Sequence, residues 1–78
     1  MIYNVYVVYD KVAEEAGPPF TAVNDAVAQR MFAQMNIPLS LRSEYDLVRV
    51  AFYDSKDMLL SPDSPYCLTQ KGKEDSDE

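Results

Sequence analysis

The chain has no histidine and no tryptophan, and only one cysteine and two glycines among its 78 residues. Without histidine, the commonest general base and metal ligand is missing, and no Ser-His or Cys-His catalytic pair can form. The single cysteine, Cys67, excludes an intrachain disulfide, and two glycines cannot build a glycine-rich phosphate loop. Asp46, Asp54 and Asp57 fall at predicted strand ends, where turn and cap roles explain them. We therefore predict a non-enzymatic protein with no catalytic residues, no metal site and no cofactor.

Long apolar runs and clustered positive charge are also missing. No stretch approaches the roughly 20 apolar residues of a membrane-spanning helix, and residues 1–8 lack the basic flank of a signal peptide. We expect a soluble protein of a reducing compartment that does not contact membrane. The net charge is −6, but four of the thirteen acidic residues lie within the last five positions. Residues 1–73 carry nine acidic against seven basic residues, a difference of only −2.

With 47% apolar residues, the chain has the composition of a folded protein. We predict a single domain over residues 1–69 and a disordered acidic tail over residues 70–78. The tail has two interpretations: it keeps the protein soluble, or it occupies a basic surface and competes there with nucleic acid. Seventy-eight residues bury little surface, so self-association is expected to help stability.

The most sharply delimited element is a predicted amphipathic helix from Asp25 to Met35. Asn24 is a favoured N-cap residue, and Asp25 places a negative charge where the helix dipole stabilises one. One apolar stripe follows at helical spacing, formed by Val27, Ala28, Met31, Phe32 and Met35. The helix is expected to end before Pro38, and residues 37–44 are expected to form a loop.

Strands are predicted on both sides of this helix, at residues 2–10, 20–23, 45–53 and 58–60. Residues 12–16 are compatible with a single helical turn, and the prolines between Ser61 and Pro65 predict a break in regular structure. The predicted fold class is α+β, with the order β-β-α-β-β: a small antiparallel sheet of about four strands with one amphipathic helix packed on one face.

Strict alternation along the two long strands predicts which side chains share a face. Tyr3, Val5, Val7 and Tyr9 form a uniformly apolar or amphipathic set and are expected to face the helix. The opposite face then receives Asn4, Tyr6, Tyr45, Arg49 and Tyr53. Aromatic rings stack on unpaired bases, and arginine contacts phosphate or aromatic rings, so this face is a candidate platform for single-stranded nucleic acid. The predicted nucleic-acid-binding residues are Tyr6, Lys11, Arg30, Arg42, Arg49, Tyr53 and Lys56.

A dimer interface is the alternative interpretation of the same face, since tyrosine is also enriched in protein interfaces. Its members would be Tyr6, Val8, Leu47 and Tyr53. The two roles are compatible, because a dimer can present a groove between its subunits. A third hypothesis, an acidic DNA mimic, requires carboxylates spaced along one ordered face, whereas here they gather at the end of the chain.

An ordered series of short motifs resembles the small nonstructural protein of gokushoviruses, single-stranded DNA bacteriophages of the microvirus family. The series comprises Tyr9-Asp10-Lys11, Gly17-Pro18-Pro19-Phe20, Asn24 followed by Ala26, Ala28, Arg30 and Phe32, then Tyr45-Asp46-Leu47 and Phe52-Tyr53-Asp54. It spans about residues 2–60. The chain departs from the pattern at Ala51, where glycine is common, and in the last turn, which lacks a glycine.

The resemblance implies a DNA-binding accessory protein that acts in the host bacterial cytoplasm. It implies a role in directing single-stranded DNA into procapsids when genome replication gives way to packaging. The expected partners are single-stranded DNA, a second copy of the chain, and phage replication or procapsid proteins. The alternative function is a protein-interaction module, a homodimer that docks on those proteins without contacting nucleic acid. Because phosphate binding needs clustered positive charge, we expect DNA binding to be weak and sensitive to salt.

Overall fold

A computed structural model describes residues 1–69, so the predicted acidic tail over residues 70–78 lies outside the described residues. The elements in chain order are β1 (Ile2–Asp10), β2 (Glu15–Ala16), β3 (Phe20–Ala22), α1 (Asp25–Ala33), a 3-10 helix (Leu39–Glu44), β4 (Tyr45–Asp54) and β5 (Leu59–Cys67). All strand pairs are antiparallel, and the sheet order is β2-β1-β4-β5, with β3 also pairing with β1. The chain is therefore a small α+β domain built mostly from antiparallel strands, as predicted.

Helix α1 begins where the sequence predicts. Asn24 has an extended backbone, and its Oδ1 accepts a hydrogen bond of 2.8 Å from the amide of Val27. This bond satisfies one of the free amide donors of the first turn. The predicted cap is confirmed, and it determines where the chain leaves β3 and enters the helix.

The buried core is small and includes residues of both the sheet and α1. Tyr6 of β1 and Leu47 of β4 are its two largest fully buried side chains, and they cluster with Ala22 and Ala28. Three apolar residues of α1, Val27, Met31 and Phe32, pack against this cluster. Two large side chains at the centre leave much of the remaining apolar surface only partly covered.

The side of β1 that contacts α1 is the reverse of the predicted one. Tyr6 and Val8 belong to the core with α1, whereas Val7 lies on the other side. Alternation predicted only which residues share a face. Both sets of β1 side chains are largely apolar or aromatic, so the sequence pattern could not show which set would meet the helix.

A bulge in β4 also changes the predicted faces. Tyr6 is paired with Arg49 and Val5 with Ala51, which leaves Val50 without a partner on β1. In a regular strand, Arg49 and Tyr53 would share a face because four residues separate them. The extra residue moves them to opposite faces, because Tyr53 pairs with Tyr3 whereas Arg49 lies beside Tyr6.

Three local predictions were wrong. Residues 12–16 form turns and the short strand β2 instead of a helical turn, and Leu39–Glu44 is a 3-10 helix instead of a loop. Strand β5 runs through Pro62 and Pro65 to Cys67. Prolines are tolerated there because β5 is an edge strand, and its pairing with β4 is irregular opposite Val50.

Candidate nucleic-acid interface

Two sheet faces with different chemistry result from this register. We call the face that carries Asn4, Tyr6, Val8, Leu47 and Arg49 the closed face, because its residues contact α1 or one another in the core. We call the other face the open face; its partly exposed side chains are Tyr3, Val7, Tyr9, Val48, Val50 and Tyr53.

A shallow depression of about 470 Å³ occupies one end of the open face. Val7, Val48 and Val50 contribute to its apolar wall, and the other lining residues belong to strands or to the segment that follows β1. A second depression of about 300 Å³ lies at the other end, where Tyr53 and Leu60 meet. The open face is therefore concave and largely apolar at both ends.

Aromatic rings lie along the open face on both central strands. Tyr3 and Tyr53 are directly paired across β1 and β4, and Tyr9 lines the larger depression. All three are only partly buried. Tyr3 and Tyr9 were not among the predicted binding residues. The sequence pattern had placed their side of β1 against the helix, and so assigned them to the core.

Lysines lie at both ends of the open face. Lys11 lines the larger depression, and its Nζ is 3.7 Å from Oδ1 of Asp46, which also accepts a hydrogen bond of 3.1 Å from Thr69. Asp46 is buried, so its carboxylate needs these partners. Lys56 lies in the exposed turn after Asp54, beyond Tyr53.

The predicted binding residues Tyr6 and Arg49 lie instead within a hydrogen-bonded network on the closed face. The Tyr6 hydroxyl donates to Oδ1 of Asp25 at 2.6 Å, and Arg49 Nη1 donates to Oδ2 of Asp25 at 2.9 Å. Arg49 Nε also donates to Asp63 of β5 at 3.3 Å, and Asn4 donates to the Tyr6 hydroxyl at 2.9 Å. The network joins the first turn of α1 to three strands, so its prediction as an exposed surface was wrong.

Burial is the largest cause that raises the pKa of Tyr6, to about 12, and the hydrogen bond to Asp25 adds to it. Burial acts to lower the pKa of Arg49, but its hydrogen bonds and charge attraction to Asp25 and Asp63 outweigh this and raise it. Both groups therefore keep their protons more firmly than they would in water. The hydroxyl of Tyr6 and the guanidinium of Arg49 therefore have their polar partners within the domain.

Arg42 is also used internally. Its guanidinium donates to the carbonyl oxygens of Phe32, Ala33 and Met35, at 3.2, 3.1 and 3.1 Å. These carbonyls lie at the C-terminal end of α1, where a positive charge complements the helix dipole. The same guanidinium lies over the ring of Phe32.

The seven predicted binding residues are thus divided among three places. Lys11, Tyr53 and Lys56 lie on the open face or at its end, whereas Tyr6, Arg42 and Arg49 hold α1 in place. Arg30 is exposed on the last turn of α1. The predicted dimer face also changes, because Tyr6 and Leu47 are 0% exposed and cannot contact a second subunit.

Residues 1–69 hold no group of three or more histidine, cysteine, aspartate or glutamate side chains placed to bind a metal ion. In the same part of the chain, no helix is both long and apolar enough to cross a membrane.

Comparison with known proteins identifies the family. No curated protein and no solved structure matches the chain. The model of one family, described as Phage ORF5 protein, matches residues 3–74, which include the helix and every strand except the first residue of β1. The chain therefore belongs to the Phage ORF5 protein family, and is a small protein of a kind encoded by phages.

Proposed function

We propose that the protein is a non-enzymatic phage accessory protein that binds single-stranded DNA through the open face. The observation that supports this most directly is the set of three partly exposed tyrosines, Tyr3, Tyr9 and Tyr53, on one concave sheet face. Flat rings on a sheet stack against unpaired bases, and each such contact contributes about 1–3 kcal/mol. Lys11 and Lys56 at the two ends provide phosphate contacts.

The charge of the domain determines the kind of binding that this proposal predicts. With about two phosphate contacts, the logarithm of the binding constant should fall with the logarithm of salt concentration with a slope of about −1.4. Two contacts make this dependence shallower than the salt sensitivity expected from the sequence, so stacking supplies most of the affinity. The interaction is expected to be weak and indifferent to sequence, since each base has a stacking surface.

The more specific role belongs to the same proposal. The resemblance to gokushovirus proteins favours a single-stranded DNA phage, the host bacterial cytoplasm as the place of action, and assistance in the change from genome replication to packaging. Membership of a phage protein family supports this setting. A small protein with an aromatic sheet face also suits transient contact with newly made single strands.

Fluorescence anisotropy with a labelled single-stranded oligonucleotide tests the proposal, at low and moderate salt, with the whole chain and with residues 70–78 removed. We expect Tyr53→Ala to weaken binding at least fivefold, and Tyr53→Phe to preserve it because the ring remains. Lys11→Ala should weaken binding, whereas the matched control Arg30→Ala, an exposed cation on α1, should not. Absence of binding at tens of micromolar at low salt, with and without the tail, would contradict the proposal.

The larger depression supports a second candidate function, a protein-interaction module that docks on phage replication or capsid proteins. Its apolar wall of Val7, Val48 and Val50 offers a pocket for an apolar side chain of a partner. Pull-down with separately purified phage proteins distinguishes the two functions. If Val48→Asp abolishes capture of such a protein while oligonucleotide binding is absent, the interaction module is correct and DNA binding is not.

A further inference from the structure

The hairpins β1–β2 and β4–β5 have the same design. Tyr9 and Tyr53 each come directly before an aspartate that ends a long strand, and a turn of four residues follows each aspartate. Strands β2 and β5 then begin at the same distance after the two tyrosines. We call residues 9–16 and residues 53–60 the two hairpin units.

The hydrogen bonds and backbone angles of the two hairpin units also match. The side chains of Asp10 and Asp54 each accept a hydrogen bond of 3.0 Å from the amide two residues later. The fourth residue of each turn has a positive φ, 60° at Glu14 and 59° at Met58. Position by position, the two sequences share only the initial Tyr-Asp pair. The repeat is therefore one of local structure, with the same tyrosine at the same place in each unit.

Each hairpin unit contributes to one depression of the open face. Tyr9 is paired with Ala16 across its hairpin, and both line the larger depression of about 470 Å³. Tyr53 is paired with Leu60 in the matching position, and both line the smaller depression of about 300 Å³. Because β1 and β4 are antiparallel, the two units lie at opposite ends of the sheet. We call each of these tyrosines together with its depression a station.

The turn beside each station carries one lysine. Lys11 follows Asp10 and lines the larger depression, and Lys56 lies in the turn after Asp54. A nucleotide combines one flat ring with one anionic phosphate, so each station offers a partner for both parts. Every unit of a nucleic acid strand presents these two groups, whereas a protein partner would not in general present them twice at this spacing. The repeat therefore favours a strand of nucleic acid over a protein as the ligand of the two stations.

We infer that one single strand of DNA occupies both stations, with one base stacked on Tyr9 and another on Tyr53. The inference rests on the proposed function and adds the number of stations and the length of strand that they require. Tyr9 is paired with Asp46, and the stretch of β4 from Asp46 to Tyr53 is about 20 Å long, with the bulge taking up one residue. A strand stacked at about 3.4 Å per nucleotide needs about seven nucleotides to reach both stations, and a more extended strand needs fewer.

The stations differ in one respect, which predicts the order in which they bind. Tyr53 is paired across β1 and β4 with Tyr3, whereas Tyr9 is paired with Asp46. The Tyr53 station therefore has two rings. The Tyr9 station instead has a carboxylate beside its ring, and that carboxylate shares the charge of Lys11. A strand too short to reach both stations should bind first at Tyr53.

NMR titration of the whole chain at low salt, with oligothymidylates of about three and about eight nucleotides, tests the inference, because only the longer strand reaches both stations. The short strand should shift the ring resonances of Tyr3 and Tyr53 first, and those of Tyr9 at higher concentration. The long strand should shift all three together, with one strand bound per chain. Its affinity should be about a hundredfold higher, since the second contact becomes intramolecular.

Loss of the ring at one station should remove the advantage of the longer strand. In Tyr9→Leu, which keeps an apolar side chain, the affinity ratio of long to short strand should fall to the few-fold gain that additional binding positions provide. Tyr9→Phe should retain the full ratio because the ring remains. The matched control is Tyr45→Leu, since Tyr45 is a partly exposed tyrosine at the same end of the sheet but lines another depression, together with Val8. Circular dichroism shows whether each variant is folded, and the wild-type titration decides the question if one is not.

Three results would overturn the inference. They are a long strand that shifts Tyr53 without Tyr9, an affinity ratio that Tyr9→Leu leaves unchanged, and two long strands bound per chain. If any of these occurs while Tyr53→Ala still weakens binding, the proposed function stands and only the arrangement of two stations on one strand is wrong. If neither strand shifts an open-face ring at low salt, both the proposed function and this inference are wrong.

Discussion

The closed and open faces are built from the same two strands but use their polar and aromatic groups in opposite ways. On the closed face, Tyr6 and Arg49 are engaged with Asp25 of α1. On the open face, Tyr3 and Tyr53 are paired across the strands with their rings partly exposed. The comparison shows that a tyrosine in a strand is a candidate for ligand binding only when no element of the domain uses its hydroxyl and ring.

The largest expected difference between the faces concerns buried volume. Leu47→Ala on the closed face should lower the free energy of unfolding by about 2–5 kcal/mol, because Leu47 is fully buried and the cavity cannot fill with water. In a domain this small, that loss is comparable to the total stability of about 3–5 kcal/mol. Urea unfolding followed by circular dichroism measures the effect.

The matched control is Val48→Ala, the next residue on β4 but on the open face. It should cost about 1 kcal/mol or less, since Val48 is already partly exposed. Equal destabilisation by the two substitutions would show that the open face is covered in solution, and the distinction between the faces would then fail.

The next effect depends on pH and on the Tyr6 hydroxyl. Because the pKa of Tyr6 is raised to about 12 in the folded protein, above the unfolded value near 10, its stabilising contribution is complete below pH 10. It is lost as the pH rises from 10 towards 12, because the unfolded chain releases the proton first. A pKa difference of this size corresponds to up to about 2–3 kcal/mol.

Chemical denaturation at several pH values between 8 and 12 measures this loss for the wild type and for Tyr6→Phe. The variant should be less stable at pH 8 and should lose less stability on the way to pH 12. The control is Tyr53→Phe on the open face, which keeps the Tyr6 hydroxyl and should therefore retain the alkaline loss of stability that Tyr6 causes. If Tyr6→Phe leaves the alkaline dependence unchanged, the hydroxyl of Tyr6 is not held by the closed face.

The smallest of the three effects concerns Arg49. Arg49→Met keeps much of the apolar stem but removes the hydrogen bonds to Asp25 and Asp63, so we expect a loss of about 1–2 kcal/mol. Solvent reaches Asp25, which limits the effect. The control Arg30→Met, on the exposed side of α1, should change stability by about 0.5 kcal/mol or less. Thermal unfolding of both variants decides whether Arg49 is structural, and Arg49→Met should leave oligonucleotide binding nearly unchanged.

Local signals in the sequence predicted much of the fold. Asn24 before an apolar stripe predicted the start of α1, and β-branched and aromatic runs predicted β1 and β4. These signals act over a few residues, through capping bonds and side-chain alternation. They do not extend to Pro62 and Pro65, where proline argues against a strand unless the strand is known to lie at an edge.

Much less of the candidate site was predictable. Tyr53, Lys11 and Lys56 were named from the sequence and lie at the open face or its end, whereas Tyr3 and Tyr9 were missed. There are two causes. No residue type at this position indicates the bulge at Val50, and the sequence does not show which face of β1 meets α1. The charge of Arg49 could have signalled the error, since its carboxylate partner Asp25 lies in the first turn of the predicted helix.

By itself, the sequence determined the secondary structure of the central elements, the absence of histidine chemistry and the alternation of side chains along β1, because these depend on neighbours in the chain. Only the tertiary structure decided which face of β1 meets α1, where the register of β4 shifts, and that residues 1–2 lie at the same end of the sheet as residues 58–60. Those outcomes depend on contacts between segments distant in the sequence. Local patterns make either face of β1 suitable to meet α1, and packing of Tyr6 and Leu47 with the helix selects one of them.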